Sequence, residues 1–148
     1  MLHYKNLNVN PKGRKTGDCS TRALVGCLGL KYDDVLDLQL KFVKKYYYDF
    51  TSRQCVEKIL SNFGYVKMKQ PKKPDGTKYR VNEIDKILSK EELMGGVIIN
   101  TRKHYVCCRD DYYQDIWDSG LQIVGNYYIK KKFIEMWKDK RNLWKTII

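Results

Sequence analysis

Gly17-Asp18-Cys19-Ser20-Thr21-Arg22-Ala23-Leu24 is a tight polar turn that runs straight into an apolar segment. The pattern predicts a helix that begins at Asp18 or Cys19 and stops at Gly29, a residue suited to the left-handed turn after a helix end. Ala23, Leu24, Val25, Cys27 and Leu28 make this helix apolar on most sides, which marks it as central and buried. Cys19 then stands at its N-terminus, where unpartnered backbone N–H groups and the helix dipole favour negative charge. A thiolate is stabilised in such a place, so the segment is suited to hold a nucleophile.

Two further helices follow. One is expected from Asp33 or Asp34 to about Tyr47, with Val35/Leu36, Leu40, Val43 and Tyr46/Tyr47 at helical spacing. The next starts after Thr51 or Ser52, buries Cys55/Val56, Ile59/Leu60 and Phe63, and stops at Gly64. Tyr65 to Met68 reads as a short strand, and Gln70 to Thr77 as a charged loop. Asn82 is placed to cap a short helix carrying Ile84, Ile87 and Leu88. From Gly95 the texture changes to strands at Val97 to Thr101, His104 to Arg109, Tyr112 to Trp117 and Gln122 to Ile129. Residues 1 to 16 read as an extended or irregular lead-in, and Lys130 to about Trp144 as a basic terminal helix with Phe133, Ile134, Trp137 and Trp144 on its apolar side. Helices first and an antiparallel sheet second define an α+β fold, expected as one domain over residues 1 to 148.

A chain of 148 residues with 43% hydrophobic content is long enough for a proper core and too apolar for a disordered one. No apolar run approaches the roughly 20 residues of a membrane span, and the first residues lack a signal-peptide core. A cytoplasmic protein with no membrane partner is the expectation. The five cysteines include no C-x-x-C pair, which argues for free thiols and against a zinc ribbon or a disulfide framework. Cys107 and Cys108 are adjacent and should point to opposite faces of a strand. The formal charge of +12 favours acidic partners or nucleic acid by Coulomb attraction, although lysine also serves simply to solubilise.

A cysteine at a helix start, with a histidine and an acid on later strands, is the arrangement of a cysteine–histidine–acid triad. His104 is the better histidine, because His3 lies in the lead-in. Strand parity selects the acid. If Asp110-Asp111 form the tip of a hairpin and Arg109 faces Tyr112, then Val106 faces Asp115 and His104 faces Trp117. His104 and Asp115 then share a face. Asp118 falls on the other face and is the alternative third member.

The same residues carry a family resemblance. The Gly17–Leu24 stretch, Gly29 and Tyr32-Asp33-Asp34-Val35, then His104, Asp115-Ile116-Trp117-Asp118 and Val124-Gly125-Asn126-Tyr127, resemble small papain-like cysteine peptidase-like proteins of bacteriophage and bacterial genomes. That group is distantly similar to the bacteriocin-processing double-glycine peptidases. The resemblance covers residues 17 to 36 and 97 to 128. It implies a papain-like fold, with the nucleophile helix packed on the C-terminal sheet, and Cys19, His104 and Asp115 as catalytic residues. It implies a peptide or protein substrate, no cofactor and no metal, and host cytoplasm as the location if the protein is phage-encoded. Papain-like enzymes carry an oxyanion-binding glutamine six residues before the cysteine. Gly13 occupies that position here, which leaves Asn10 and Asn8 as candidate oxyanion donors from the preceding loop. Arg22 belongs to the resembling stretch, yet an exposed helix arginine accounts for it equally well.

Two classes of function are therefore expected to compete. One is a thiol hydrolase of peptide or isopeptide bonds, with acyl transfer to an amine as a variant of the same chemistry. The other is a non-enzymatic basic binding protein on the same scaffold, either a phage-encoded inhibitor of a host protein or a nucleic-acid binder. No zinc finger, helix-turn-helix or RNA-binding signature supports specific nucleic-acid recognition.

Overall fold

The computed structural model describes residues 1–15 and 17–131. Strand β1 is His3–Asn6, and helix α1 is Cys19–Leu28, closed by Gly29 at a φ of 67° with its N–H on the Val25 carbonyl. Helix α2 is Tyr32–Tyr46 and α3 is Arg53–Asn62. Ser52 caps α3 by accepting from the Cys55 N–H at 3.2 Å. The stripe expected of α3, from Cys55 to Phe63, is buried throughout.

The buried face of α2 differs from the expected one. It comprises Val35, Leu38, Gln39 and Phe42, while Leu40 is half exposed and Tyr47 almost fully so. The reason is a buried amide: Gln39 accepts from the Thr21 hydroxyl at 2.6 Å and so occupies an inward position that a count of apolar residues passes over.

Strands β2 (Tyr65–Met68), β3 (Val97–Thr101), β4 (His104–Arg109), β5 (Tyr112–Asp115) and β6 (Tyr127–Lys130) join β1 in one six-stranded sheet of order β1-β5-β4-β3-β6-β2. The lead-in is thus partly a strand, and β1 pairs with β5 in parallel, so the sheet is mixed and not purely antiparallel. β5 and β6 are shorter than expected. After Asp115 the chain turns away into residues 116–126, and Ile123 makes only an isolated bridge to Arg80. Arg80, not Asn82, precedes a short 3-10 helix at Val81–Lys86. Helix α4 (Lys90–Met94) was not expected, although Ser89 and Glu92 form the reciprocal cap that starts it. The expected terminal helix falls outside the described residues except for its first two positions, of which Lys130 closes β6. The architecture among the described residues is α+β, and no helix among them is long and apolar enough to cross a membrane.

The sheet is buried on both faces. Ile98, Tyr105, Cys107 and Tyr128 pack against α1, α2 and α3, while Val97, Ile99, Val106, Cys108 and Tyr113 meet Val81, Ile84, Leu93 and Val124. Cys107 and Cys108 therefore do serve opposite faces, as strand alternation requires. Helix α1 lies directly over β4, and the approach is close at Gly26. A Cβ there would stand 2.8 Å from the Cys107 sulfur and 3.1 Å from its Cβ. Gly26→Ala should therefore destabilise the protein by about 1–2 kcal/mol in urea denaturation, since overpacking outweighs the helix propensity gained. A variant as stable as wild type would show that α1 and β4 are not in such close contact.

Candidate active site

Helix α1 presents Cys19 at its first turn, half-buried. Asp18 precedes the helix but makes no capping bond to that turn. Its carboxylate is used elsewhere: Oδ1 accepts from Arg22 Nε at 2.8 Å, and Oδ2 from the Tyr32 hydroxyl at 2.8 Å and Asn10 Nδ2 at 3.1 Å. The first-turn N–H groups are thus left without a side-chain cap beside the sulfur, where negative charge would develop.

The β4–β5 hairpin has the register that the sequence implied, with Arg109 opposite Tyr112, Cys108 opposite Tyr113 and Cys107 opposite Gln114. Continuing it puts Asp115 beside Val106 and within reach of His104. His104 Nε2 and Asp115 Oδ2 are 2.6 Å apart. Nδ1 is then the ring nitrogen that Asp115 does not use, and the Cys19 sulfur is close enough to the imidazole and to the Tyr105 backbone N–H for both to favour its charged form. Trp117, 43% exposed, lies over the imidazole with ring centroids 5.0 Å apart. The structure therefore brings Cys19, His104 and Asp115 together. Asp118 is not part of the group: its Oδ1 accepts from the Tyr113 hydroxyl and from the Gly120 N–H. Asn10 donates to Asp18 and Tyr32, and Asn8 to the Arg14 carbonyl, so both amides are engaged within the loop before α1. His3 is exposed on the edge strand.

Asp115 is held from four directions. Oδ2 accepts from His104 and from the Ser119 hydroxyl at 2.8 Å, while Oδ1 accepts from the Ile116 N–H at 2.8 Å and Arg22 Nη1 at 3.0 Å. Arg22 is buried, only 7% exposed, and bridges Asp18 and Asp115. This overturns the reading of Arg22 as an exposed helix arginine. The signal for it was present: Asp18 and Arg22 are an (i, i+4) charge pair at the start of a helix that holds no other charged residue. Ser119 carried no comparable signal, because its place depends on the turn after β5.

The charges follow from this geometry. Burial alone would raise the Asp115 carboxyl, but the bonds from His104, Ser119 and Arg22 hold it below the usual carboxylate range. Burial alone would lower His104, but the hydrogen bonds to Asp115 and Cys19 push it up to about 9. Burial alone would raise Cys19, but His104 and the Tyr105 N–H, with the charge of Arg22, bring it below an ordinary thiol. Both shifts favour the thiolate–imidazolium pair relative to the neutral thiol and imidazole. The other cysteines contrast with this. Burial lifts Cys55 to about 11 and pushes Cys27 and Cys108 well up, and Cys107 is enclosed in the core.

A cleft of about 620 Å³ opens beside the sulfur, with Cys19 and Tyr105 in its lining. Among the described residues no group of three histidine, cysteine or carboxylate side chains is disposed to hold a metal ion. Comparison of the chain with protein-family models, with curated proteins and with solved structures gives no match.

Proposed function

We propose that the protein is a papain-like thiol hydrolase of peptide or isopeptide bonds, with Cys19 as nucleophile, His104 as general acid and base, and Asp115 as the residue that orients the imidazole. The observation that carries the reading is the 2.6 Å His104–Asp115 pair standing beside the Cys19 sulfur at the mouth of an open cleft. The Cys19 thiolate attacks the substrate carbonyl, and the carbonyl oxygen takes up the electron pair. The Cys19 backbone N–H, at the uncapped start of α1, is the donor best placed to stabilise that oxyanion. Collapse of the tetrahedral adduct expels the amine, which takes its proton from the His104 imidazolium. A water then gives a proton to the neutral His104 and attacks the acyl-thioester. The acid leaves, and the thiolate–imidazolium pair is restored. An amine that replaces this water would give acyl transfer through the same intermediate.

The test is intact-mass labelling with iodoacetamide under native conditions. One adduct is expected, at Cys19, dependent on His104 and absent from Cys19→Ala. Equal labelling of Cys55 or Cys107 would sink the reading, because those thiols are buried and should stay inert.

A further inference from the structure

The cleft beside Cys19 carries a charge that the chemistry at the sulfur does not require. Its lining includes Arg53, Arg102 and Lys103, and no aspartate or glutamate. The three cations approach from two sides. Arg53 is the first residue of α3, and Arg102 and Lys103 form the turn between β3 and β4. All three are exposed. Among the described residues none of them is in an ion pair, whereas Lys67, Lys73 and Lys86 elsewhere on the surface are each paired with a glutamate.

The backbone at Lys103 adds a second observation. Its φ is 61°, in the left-handed region that glycine enters readily and other residues enter at a cost. A lysine therefore stands at the cleft rim where the turn itself would favour glycine. The lining holds three cations and no carboxylate, so the cleft is net positive whichever of Cys19 and His104 holds the proton between them.

A positive cleft attracts carboxylates, and it could also attract a nucleic-acid strand. Single strands are bound by stacking bases on exposed aromatic faces. The lining holds a single aromatic residue, Tyr105, which is 7% exposed and offers no such face. The neutral and exposed lining side chain Thr51 can hydrogen-bond an extended peptide.

We propose that this cleft selects acidic peptides, with aspartate or glutamate flanking the bond presented to Cys19, through Arg53, Arg102 and Lys103. The chemistry rests on the thiol-hydrolase reading above, but the cation rim is an independent observation and has its own test. In the Cys19→Ala protein, a fluorescein-labelled peptide Ala-Glu-Glu-Ala-Ala-Glu-Glu is compared by anisotropy with its glutamine counterpart. The glutamate peptide should bind about 10-fold more tightly at about 20 mM salt, and the difference should shrink toward unity at about 0.5 M as charges are screened. Arg53→Gln/Arg102→Gln/Lys103→Gly should abolish the difference, and its glycine suits the turn, so folding is not at risk there. Lys44→Gln/Lys69→Gln/Lys90→Gln removes the same charge away from the cleft and should preserve it.

In the protein with Cys19 intact, the ratio of the alkylation rates by iodoacetate and iodoacetamide should fall in the cleft triple variant and not in the control. Equal binding of the two peptides, or equal loss in both triple variants, overturns the proposal. If that happens while Cys19 still labels rapidly and depends on His104, selectivity fails and the hydrolase reading stands. If discrimination holds while Cys19 is inert, the hydrolase reading fails and the cleft remains a binding site for acidic peptides.

Discussion

His104→Ala should slow the alkylation of Cys19 by iodoacetamide about 10-fold or more at about pH 6.5. The argument is one of protonation. An ordinary thiol with a pKa near 8.5 is only about 1% thiolate at that pH. In the wild-type protein Asp115 and the sulfur push the His104 pKa up to about 9, and His104 in turn draws the Cys19 thiol down. Without the imidazole, burial again opposes the charge at Cys19. Only the Tyr105 N–H, the helix start and the more distant Arg22 still favour it. Wild-type labelling should therefore level off at lower pH than that of the variant, which should rise steeply toward pH 8 and above. In the proposed mechanism turnover needs the imidazolium as well, so the rate should fall again near pH 9 as His104 loses its proton. If the two proteins label at equal rates at about pH 6.5, the ion pair does not exist, and the nucleophile assignment loses its support.

Much of this site was legible because it depends on short-range rules. The polar turn before Ala23 and Leu24 fixed the helix start, and with it the position of Cys19. The hairpin parity needed only that Arg109 face Tyr112, which is the observed pairing. What could not be read depends on contacts between distant segments. β1 is four residues with no turn or alternation to announce it, and it becomes a strand because the parallel edge of β5 offers it partners from His3 to Asn6. Gln39 is polar and yet faces inward, because Thr21 and Ser20 on the neighbouring helix satisfy its amide. Arg22 belongs to the resembling stretch and has an (i, i+4) partner in Asp18, but its role stayed open. Read alone, an arginine belongs in solvent, and its burial makes sense only once Asp115 arrives from 93 positions away.

Arg22 also gives the largest expected effect on stability. Arg22→Met should cost about 3 kcal/mol, because two buried carboxylates lose the cation between them. Asp18 is 9% exposed and Asp115 2%. For a chain of this size the melting temperature should drop by roughly 6–12 °C. The loss should stay near the lower end for broken buried pairs, since Asp115 keeps His104, Ser119 and the Ile116 N–H. Arg22→Lys should recover less than half of it. The guanidinium reaches Asp18 through Nε and Asp115 through Nη1 at once, whereas an ammonium is a single point charge. Asp18→Asn combined with Arg22→Met should cost less than the sum of the two, because it removes one of the charges left without a partner. Acid should narrow the gap between wild type and Arg22→Met. Both carboxyls are held low in the folded protein, so their contribution is present above the ordinary carboxylate pKa near 4 and is lost as the pH falls through the lowered values. An Arg22→Met protein within about 0.5 kcal/mol of wild type at neutral pH, the result expected of a surface substitution, would mean that Arg22 does not join α1 to Asp115. The carboxylate that orients His104 would then be positioned by the β5 turn alone.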